Sequence, residues 1–213
     1  MDRGSVGRLL QPLIKNGWAA VTGRVNHRQI VATVPPAVQE AMADRLKERR
    51  TMMNHAGEGL SKEMLNIIVD DDNFIDNARP WFLQNQGTFQ FLEYDRLYPK
   101  RNVATEYGGW QHYAMTDFTD ETDLAQIRAR DELKAKISQD RGIVLVTFTE
   151  DDLTLEGMLA KLPPQLPRAH VDPGDLYVRT LLDLCGEYVA NCKRFRARDQ
   201  ARLQKKGDRN RVV

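Results

Sequence analysis

Two carboxylates and a histidine stand close together in this chain: Asp95, Glu106 and His112. Asp95 falls near the end of the aromatic-rich run GTFQFLEYDRLYP (87–99), which has strand character, and Glu106 falls in the next strand-like run, VATEY. The PKRN between them has the composition of a short hairpin turn. A register centred on that turn brings the two acids together near one edge of the ribbon. Carboxylates held that close repel each other unless a cation joins them. Hard oxygen ligands with room for water suit Mg²⁺ or Mn²⁺ better than zinc. Such an ion lowers the pKa of a bound water and offsets charge in a phosphoryl transition state. His112, beyond the two glycines of EYGGWQH, can donate or accept a proton near neutral pH. Arg130, Asp131 and Lys134 recur at helical spacing on the next predicted helix, where one of them can orient a phosphate or a water. Each residue also has a plainer use. Asp95 can pair with Arg96 or Arg101, Lys134 can be a solvated helix lysine, and Trp110 can be packing.

The elements that must position these groups follow from periodicity and punctuation. RQIVATV (28–34) predicts a strand. The segment 35–53 predicts a helix whose prolines sit at its start, where a missing N–H costs nothing. Val38, Met42, Leu46 and Met53 share its apolar face, and Arg45, Lys47, Arg49 and Arg50 its basic one. AGEG (56–59) predicts a joint, with Ser61 capping a helix to about Asp70. Asp70 to Asp72 predict a solvated turn, because Ile75 stands where a calcium loop needs glycine. A helix over 121–140 ends at Gly142, and GIVLVTFT (142–149) is continuous enough in apolar character to predict a buried strand. A further helix, a proline-rich connector and a long helix over 176–204 complete the chain. Leu181, Leu184, Tyr188, Cys192 and Phe195 form the apolar stripe of that last helix.

The net charge of +1 conceals an asymmetry. From Lys193 onward nine Lys/Arg face two Asp, a net +7, which leaves −6 on the rest. A basic tail on an acidic body suggests phosphate contact, against the alternative of a solvated helix end. Cys185 and Cys192 are seven residues apart on a predicted helix, roughly 10 Å, too far for a disulfide within it. Reduced thiols, no run of about 18 apolar residues and no secretory signal give the expectation of a cytoplasmic protein with no membrane partner.

The run from Asp95 to Phe148 resembles the very-short-patch-repair-like branch of the PD-(D/E)xK restriction-endonuclease superfamily. That branch shows an acid on one strand, then E-x-D-G-x-x-H, a helix carrying R-D or D-x-x-K, and a buried strand of the form G-[IV]-x-[LV]-[LIV]-x-[FI]. Here these are Asp95, EYGGWQH (106–112), RARDELK (128–134) and GIVLVTF (142–148). The resemblance implies an α/β fold with a restriction-endonuclease-like mixed sheet flanked by helices, plus helical extensions at both ends. The elements read along the chain divide it into an N-terminal region (1–57, a strand plus the basic amphipathic helix), a nuclease-like core (58–165) and a C-terminal helix with basic tail (166–213), and the resemblance lies in the core alone. The resemblance implies a Mg²⁺- or Mn²⁺-dependent DNA endonuclease. Asp95 and Glu106 would bind metal with the Tyr107 carbonyl, and His112, Lys134 and Asp131 would serve catalysis, with Glu63 on an upstream helix in support. Arg130, Trp110, Gln111, Lys193, Arg194, Arg196, Arg198, Arg202, Lys205 and Lys206 would contact DNA. Where the branch has Asp after E-x, and the wider superfamily has its lysine, this chain has Gly108. Activation of water then falls to His112 or Lys134. The alternative is an inactive nuclease-fold module that binds nucleic acid or joins an assembly, as a homodimer or a larger nucleoprotein complex.

Overall fold

A computed structural model describes residues 19–22, 29–32, 34–109 and 121–210. Two short strands, β1 (Ala19–Thr22) and β2 (Gln29–Ala32), form an antiparallel ribbon. Helix α1 (Pro36–Met52) begins at the Pro35–Pro36 pair and ends with Arg49 and Arg50 in its last turn, where cations oppose the negative end of the helix dipole. It buries Ala43 and Leu46; Leu46 lies on the predicted face with the half-buried Val38 and Met53, while Met42 is 43% exposed and leaves it.

Helix α2 spans Ala56–Ile68, so AGEG is its first turn and not a joint. Ser61 lies inside the helix, buried, and does not cap it. The two glycines are there for close approach: a Cβ on Gly57 would stand 2.2 Å from the Tyr107 ring. Leu60, Met64, Leu65 and Ile68 line the buried face of α2.

The main sheet has the order β3-β4-β5-β6, with β3 (Ile75–Ala78), β4 (Tyr94–Tyr98), β5 (Val103–Tyr107) and β6 (Val144–Phe148). β3 is antiparallel to β4 and β4 to β5, while β5 and β6 are parallel and joined through α3 (Glu121–Asp140). Parallel neighbours require such a long crossover. The strand predicted over 87–99 contracts to Tyr94–Tyr98, because residues 84–91 fold on themselves: Gln84 bridges Phe91, and its side-chain amide donates to the Phe89 carbonyl at 2.8 Å. β6 exists as expected but at the sheet edge, with Val144 36% exposed, so it is not buried on both faces. Gly142 takes φ +67°, the left-handed conformation that ends α3.

After β6 come a 3₁₀ turn (Glu150–Asp152), α4 (Leu155–Lys161) and α5 (Leu176–Asn210). Strand alternation sends side chains into two cores. On one face Tyr98, Val103 and Phe148 pack with Leu46, Leu60, Met64, Leu181 and Cys185 from α1, α2 and α5. On the other, Leu97 and Ala104 pack beneath α3 with Leu133 and Ile137. The protein is therefore a mixed α/β fold with helices on both faces of a four-stranded mixed sheet. Phe195 is 58% exposed and leaves the predicted apolar stripe of α5; Cys185 and Cys192 are buried and unbridged. No helix among the described residues is long and apolar enough to cross a membrane.

Candidate functional site

The β4–β5 hairpin has the register expected from its turn: Tyr98 faces Val103, Leu97 faces Ala104 and Arg96 faces Thr105. Asp95 and Glu106 are the next pair along. There the regular ladder stops, and the Asp95 carboxylate accepts the Tyr107 N–H at 2.6 Å. Glu106 is held on its other side by the parallel pairing of β5 with β6, opposite Thr147. Neither of the plainer partners reaches Asp95. Arg96 pairs with Asp76 at 2.7 Å and Arg101 with Asp71 at 2.6 Å.

Lys134 comes to the pair from α3. Its Nζ lies 2.7 Å from Glu106 Oε2, with both side chains largely buried. The turn of α3 that carries it is fixed to the sheet: Ser138 Oγ donates to the Lys134 carbonyl at 2.7 Å and bonds the Tyr94 hydroxyl at 2.6 Å. The other Glu106 oxygen, Oε1, is buried without a hydrogen-bond partner. Buried polar atoms are nearly always satisfied, so Oε1 is the oxygen of this carboxylate open to a further partner beside Lys134. Burial pushes the Asp95 carboxyl up to about 6, against the opposing Tyr107 hydrogen bond and the positive charges of Lys62 and Lys134; Glu58 adds to the rise. Burial also pushes Glu106 up to about 7, reinforced by the Asp95 charge and opposed by Lys134.

These shifts have a definite sign. Both acids bind protons more tightly in the folded chain than in the unfolded one, so between about pH 4 and 7 folding takes up protons. The stability that this pair contributes is present at low pH and is lost as pH rises through 6 and 7. In metal-free buffer, Glu106→Gln is expected to gain stability over wild type as pH is raised from 5 to 8, because the amide removes one of the two repelling charges. Paired thermal melts check this, and a difference that stays flat with pH contradicts it.

Upstream, the acid expected to support the site was Glu63. Its carboxylate instead meets Arg49, Asn66 at 3.2 Å and the Tyr177 hydroxyl at 2.9 Å. Position 63 is one step round the helix from the face that approaches Asp95. That face carries Glu58 and Lys62, which pair at 2.5 Å, and Lys62 also reaches the Asn77 side-chain oxygen. The signal for this pair was in the sequence as an i,i+4 Glu–Lys spacing on α2.

The remaining expected residues divide clearly. Arg130 and Asp131 are exposed on α3, and the Asp131 charge still bears on Glu106. The Tyr107 side chain turns away from the pair, donating from its hydroxyl to that of Tyr188 at 3.2 Å. Trp110, Gln111 and His112 lie outside the described residues, as do the side chains of Lys205 and Lys206. Arg196 is committed within the fold to the buried Glu150 and lies 3.8 Å from Asp151, which removes it from the expected DNA contacts. Lys193, Arg194, Arg198 and Arg202 are exposed along α5. In the 45–50 cluster, Arg49 pairs with Glu63, Lys47 with Asp44, and Arg50 lies over the Tyr188 ring. Among the described residues no three His, Cys, Asp or Glu side chains converge as a metal-ligand group.

No protein-family model matches the chain, and no solved structure matches it. A 71-residue stretch is 41% identical to "Uncharacterized protein 033L" of Invertebrate iridescent virus 3, covering 32% of this chain and 37% of that protein. The chain thus spans little more than a third of the relative's length.

Proposed function

We propose that the protein is a divalent-metal-dependent DNA endonuclease built on a restriction-endonuclease-like core. The observation that carries this reading is the placing of Asp95 and Glu106 at the open end of the hairpin, near enough for the Asp95 charge to act on Glu106, with Glu106 Oε1 buried and unpartnered and Lys134 2.7 Å from Oε2. Two carboxylates are few for a protein-only cage, but Mg²⁺ commonly takes one or two carboxylates and completes its shell with water and substrate phosphate. The donor set fits that ion or Mn²⁺. When bound, the ion lowers the pKa of a coordinated water and neutralises charge on the phosphoryl group.

The chain's own groups have separate tasks. Asp95 and Glu106 hold the ion, and the Tyr107 N–H fixes the orientation of Asp95. Lys134 steadies a non-bridging phosphate oxygen and places a positive charge where Gly108 provides none. His112 is assigned proton transfer, and Trp110, Gln111 and Arg130 the neighbouring DNA contacts. Exposed Lys193, Arg194, Arg198 and Arg202, with Lys205 and Lys206 beyond, hold the backbone without reading sequence. The order of parts along the sheet, acid strand, acid strand, helix with lysine, parallel strand, supports the same reading.

Supercoiled plasmid incubated with the protein is expected to be nicked with Mg²⁺ or Mn²⁺ and untouched with EDTA. Plasmid that is bound but never nicked under any of these conditions replaces this reading with that of an inactive nuclease-fold module.

A further inference from the structure

β5 ends at Tyr107, and the next two residues, Gly108 and Gly109, have no side chains with which to fix the strand end. β6 steadies one edge of the backbone there, since the Gly108 N–H donates to the Phe148 carbonyl at 2.8 Å. The other edge carries the Tyr107 N–H, which donates to Asp95 at 2.6 Å. Beyond the ladder, the hold on residue 107 is its own ring, and three helices meet around it. On α2, Gly57 leaves the space that the ring fills. On α5, the Tyr188 ring meets it edge-on with centroids 6.4 Å apart, and the Tyr188 hydroxyl accepts the Tyr107 hydroxyl at 3.2 Å. On α1, the Arg50 guanidinium lies 5.8 Å over the Tyr188 ring. Burial holds both phenols above their ordinary range, so both keep their protons. Two turns further along α5, beyond the buried Cys192, Arg196 holds the buried Glu150, which stands just after β6. Tyr188 and Arg196 thus fasten α5 at the ends of β5 and β6, while Lys193, Arg194 and Arg198 on the same stretch of helix are exposed.

We propose that Tyr188 is a positioning residue of the metal site: by holding the Tyr107 ring it fixes the N–H that orients the Asp95 carboxylate, and so ties the helix that carries the exposed cations to the carboxylate pair. This deepens the endonuclease reading and rests on it for the metal. Carboxylate ligands take their direction from the hydrogen bonds behind them. Mg²⁺ demands near-ideal octahedral geometry, so a carboxylate that turns freely binds it less well than one held in place. The Asp95 side chain has its hold in the Tyr107 N–H, and that N–H moves with residue 107. A tyrosine ring is a rigid lever, so anchoring its hydroxyl on α5 limits the motion of the backbone at its base. The same contact fixes where α5 stands relative to the end of β5, and with it the line along which a bound phosphate backbone approaches the two acids.

Tyr188→Phe removes the accepting hydroxyl and keeps the ring against Tyr107. With the full chain and no DNA, Mn²⁺ binding is followed by loss of the paramagnetic resonance signal of the free ion, and exchange of the Tyr107 amide proton is followed by NMR in metal-free buffer. The expected result is a half-saturating Mn²⁺ concentration raised about three- to tenfold, the range that one hydrogen bond supplies, with Tyr107 exchange accelerated by a similar factor. Ala104 and Thr105, inside β5, are the internal standard. A general loss of stability speeds all three amides, whereas loss of positioning speeds Tyr107 alone. Gly57→Ala reaches the ring from α2 and is expected to match Tyr188→Phe, with little further loss in the double variant, because both act through one contact. Unchanged Mn²⁺ affinity in Tyr188→Phe, or acceleration spread evenly through β5, overturns the role of Tyr188 and leaves the carboxylate pair as the metal site. If Gly57→Ala does not fold, Tyr188→Phe decides alone. Wild type that binds no Mn²⁺ overturns the metal reading and this proposal with it.

Discussion

Glu106→Ala is expected to abolish metal-dependent nicking while leaving DNA affinity within about twofold of wild type. The substitution removes one of the two carboxylates at the open end of the hairpin, and with it the anchor of Lys134. A single remaining acid, Asp95, would hold a divalent ion weakly, because the affinity of such sites depends on the number of charged ligands. Lys134 loses its orienting partner at the same time, and a misplaced electrostatic group alone costs on the order of 10²–10³ in rate. The DNA-binding surface assigned to α5 is elsewhere in the fold, so gel-shift affinity in EDTA separates loss of chemistry from loss of binding. Glu106→Gln is the companion variant. It keeps the shape and a carbonyl acceptor for Lys134 but lacks the charge, and it is expected to be as inactive as the alanine. Nicking by Glu106→Ala at the wild-type rate removes the carboxylate pair from the mechanism.

The pair itself was legible because it depends on local rules. A four-residue turn fixes a hairpin register, and register fixes which side chains face each other. Lys134 was legible as a position on a helix, but its arrival at Glu106 depends on how α3 lies across the sheet, which the sequence does not state. Glu63 and Glu58 illustrate the limit more sharply. Both are acids on α2, five residues apart, and only packing decides which faces β4. β3 was missed for a different reason: IDNA is short and mostly exposed and contains a left-handed Asn77, so it carries neither alternation nor a run of apolar residues. Arg196 looked like part of a solvated basic tail, and its engagement with Glu150 is a long-range contact without a sequence signature.

Arg96→Ala is expected to cost roughly 2–4 kcal/mol of stability, from the cavity left by a large buried side chain and the loss of its hydrogen bonds. The residue is 1% exposed in a central strand. It forms a two-point pair with Asp76 at 2.7 and 3.2 Å, donates to Asn66 at 2.8 Å, and lies 3.7 Å from the centre of the Phe74 ring. Removing it opens a cavity, takes from Asn66 its donor, and detaches β3, a four-residue edge strand, from its main side-chain anchor. Arg96→Met separates these contributions. It fills much of the volume without the charge, and because Asp76 is 42% exposed its carboxylate can rehydrate. The methionine variant is therefore expected to lose about half as much as the alanine. Urea unfolding of the two variants measures both values, and an alanine variant within about 1 kcal/mol of wild type contradicts the role given to Arg96. The consequence reaches the site, since Asp95 is the adjacent residue on β4 and Asn77, which holds Lys62, is on β3. A chain that loses this anchor is expected to lose nicking as well, at temperatures where it is still folded.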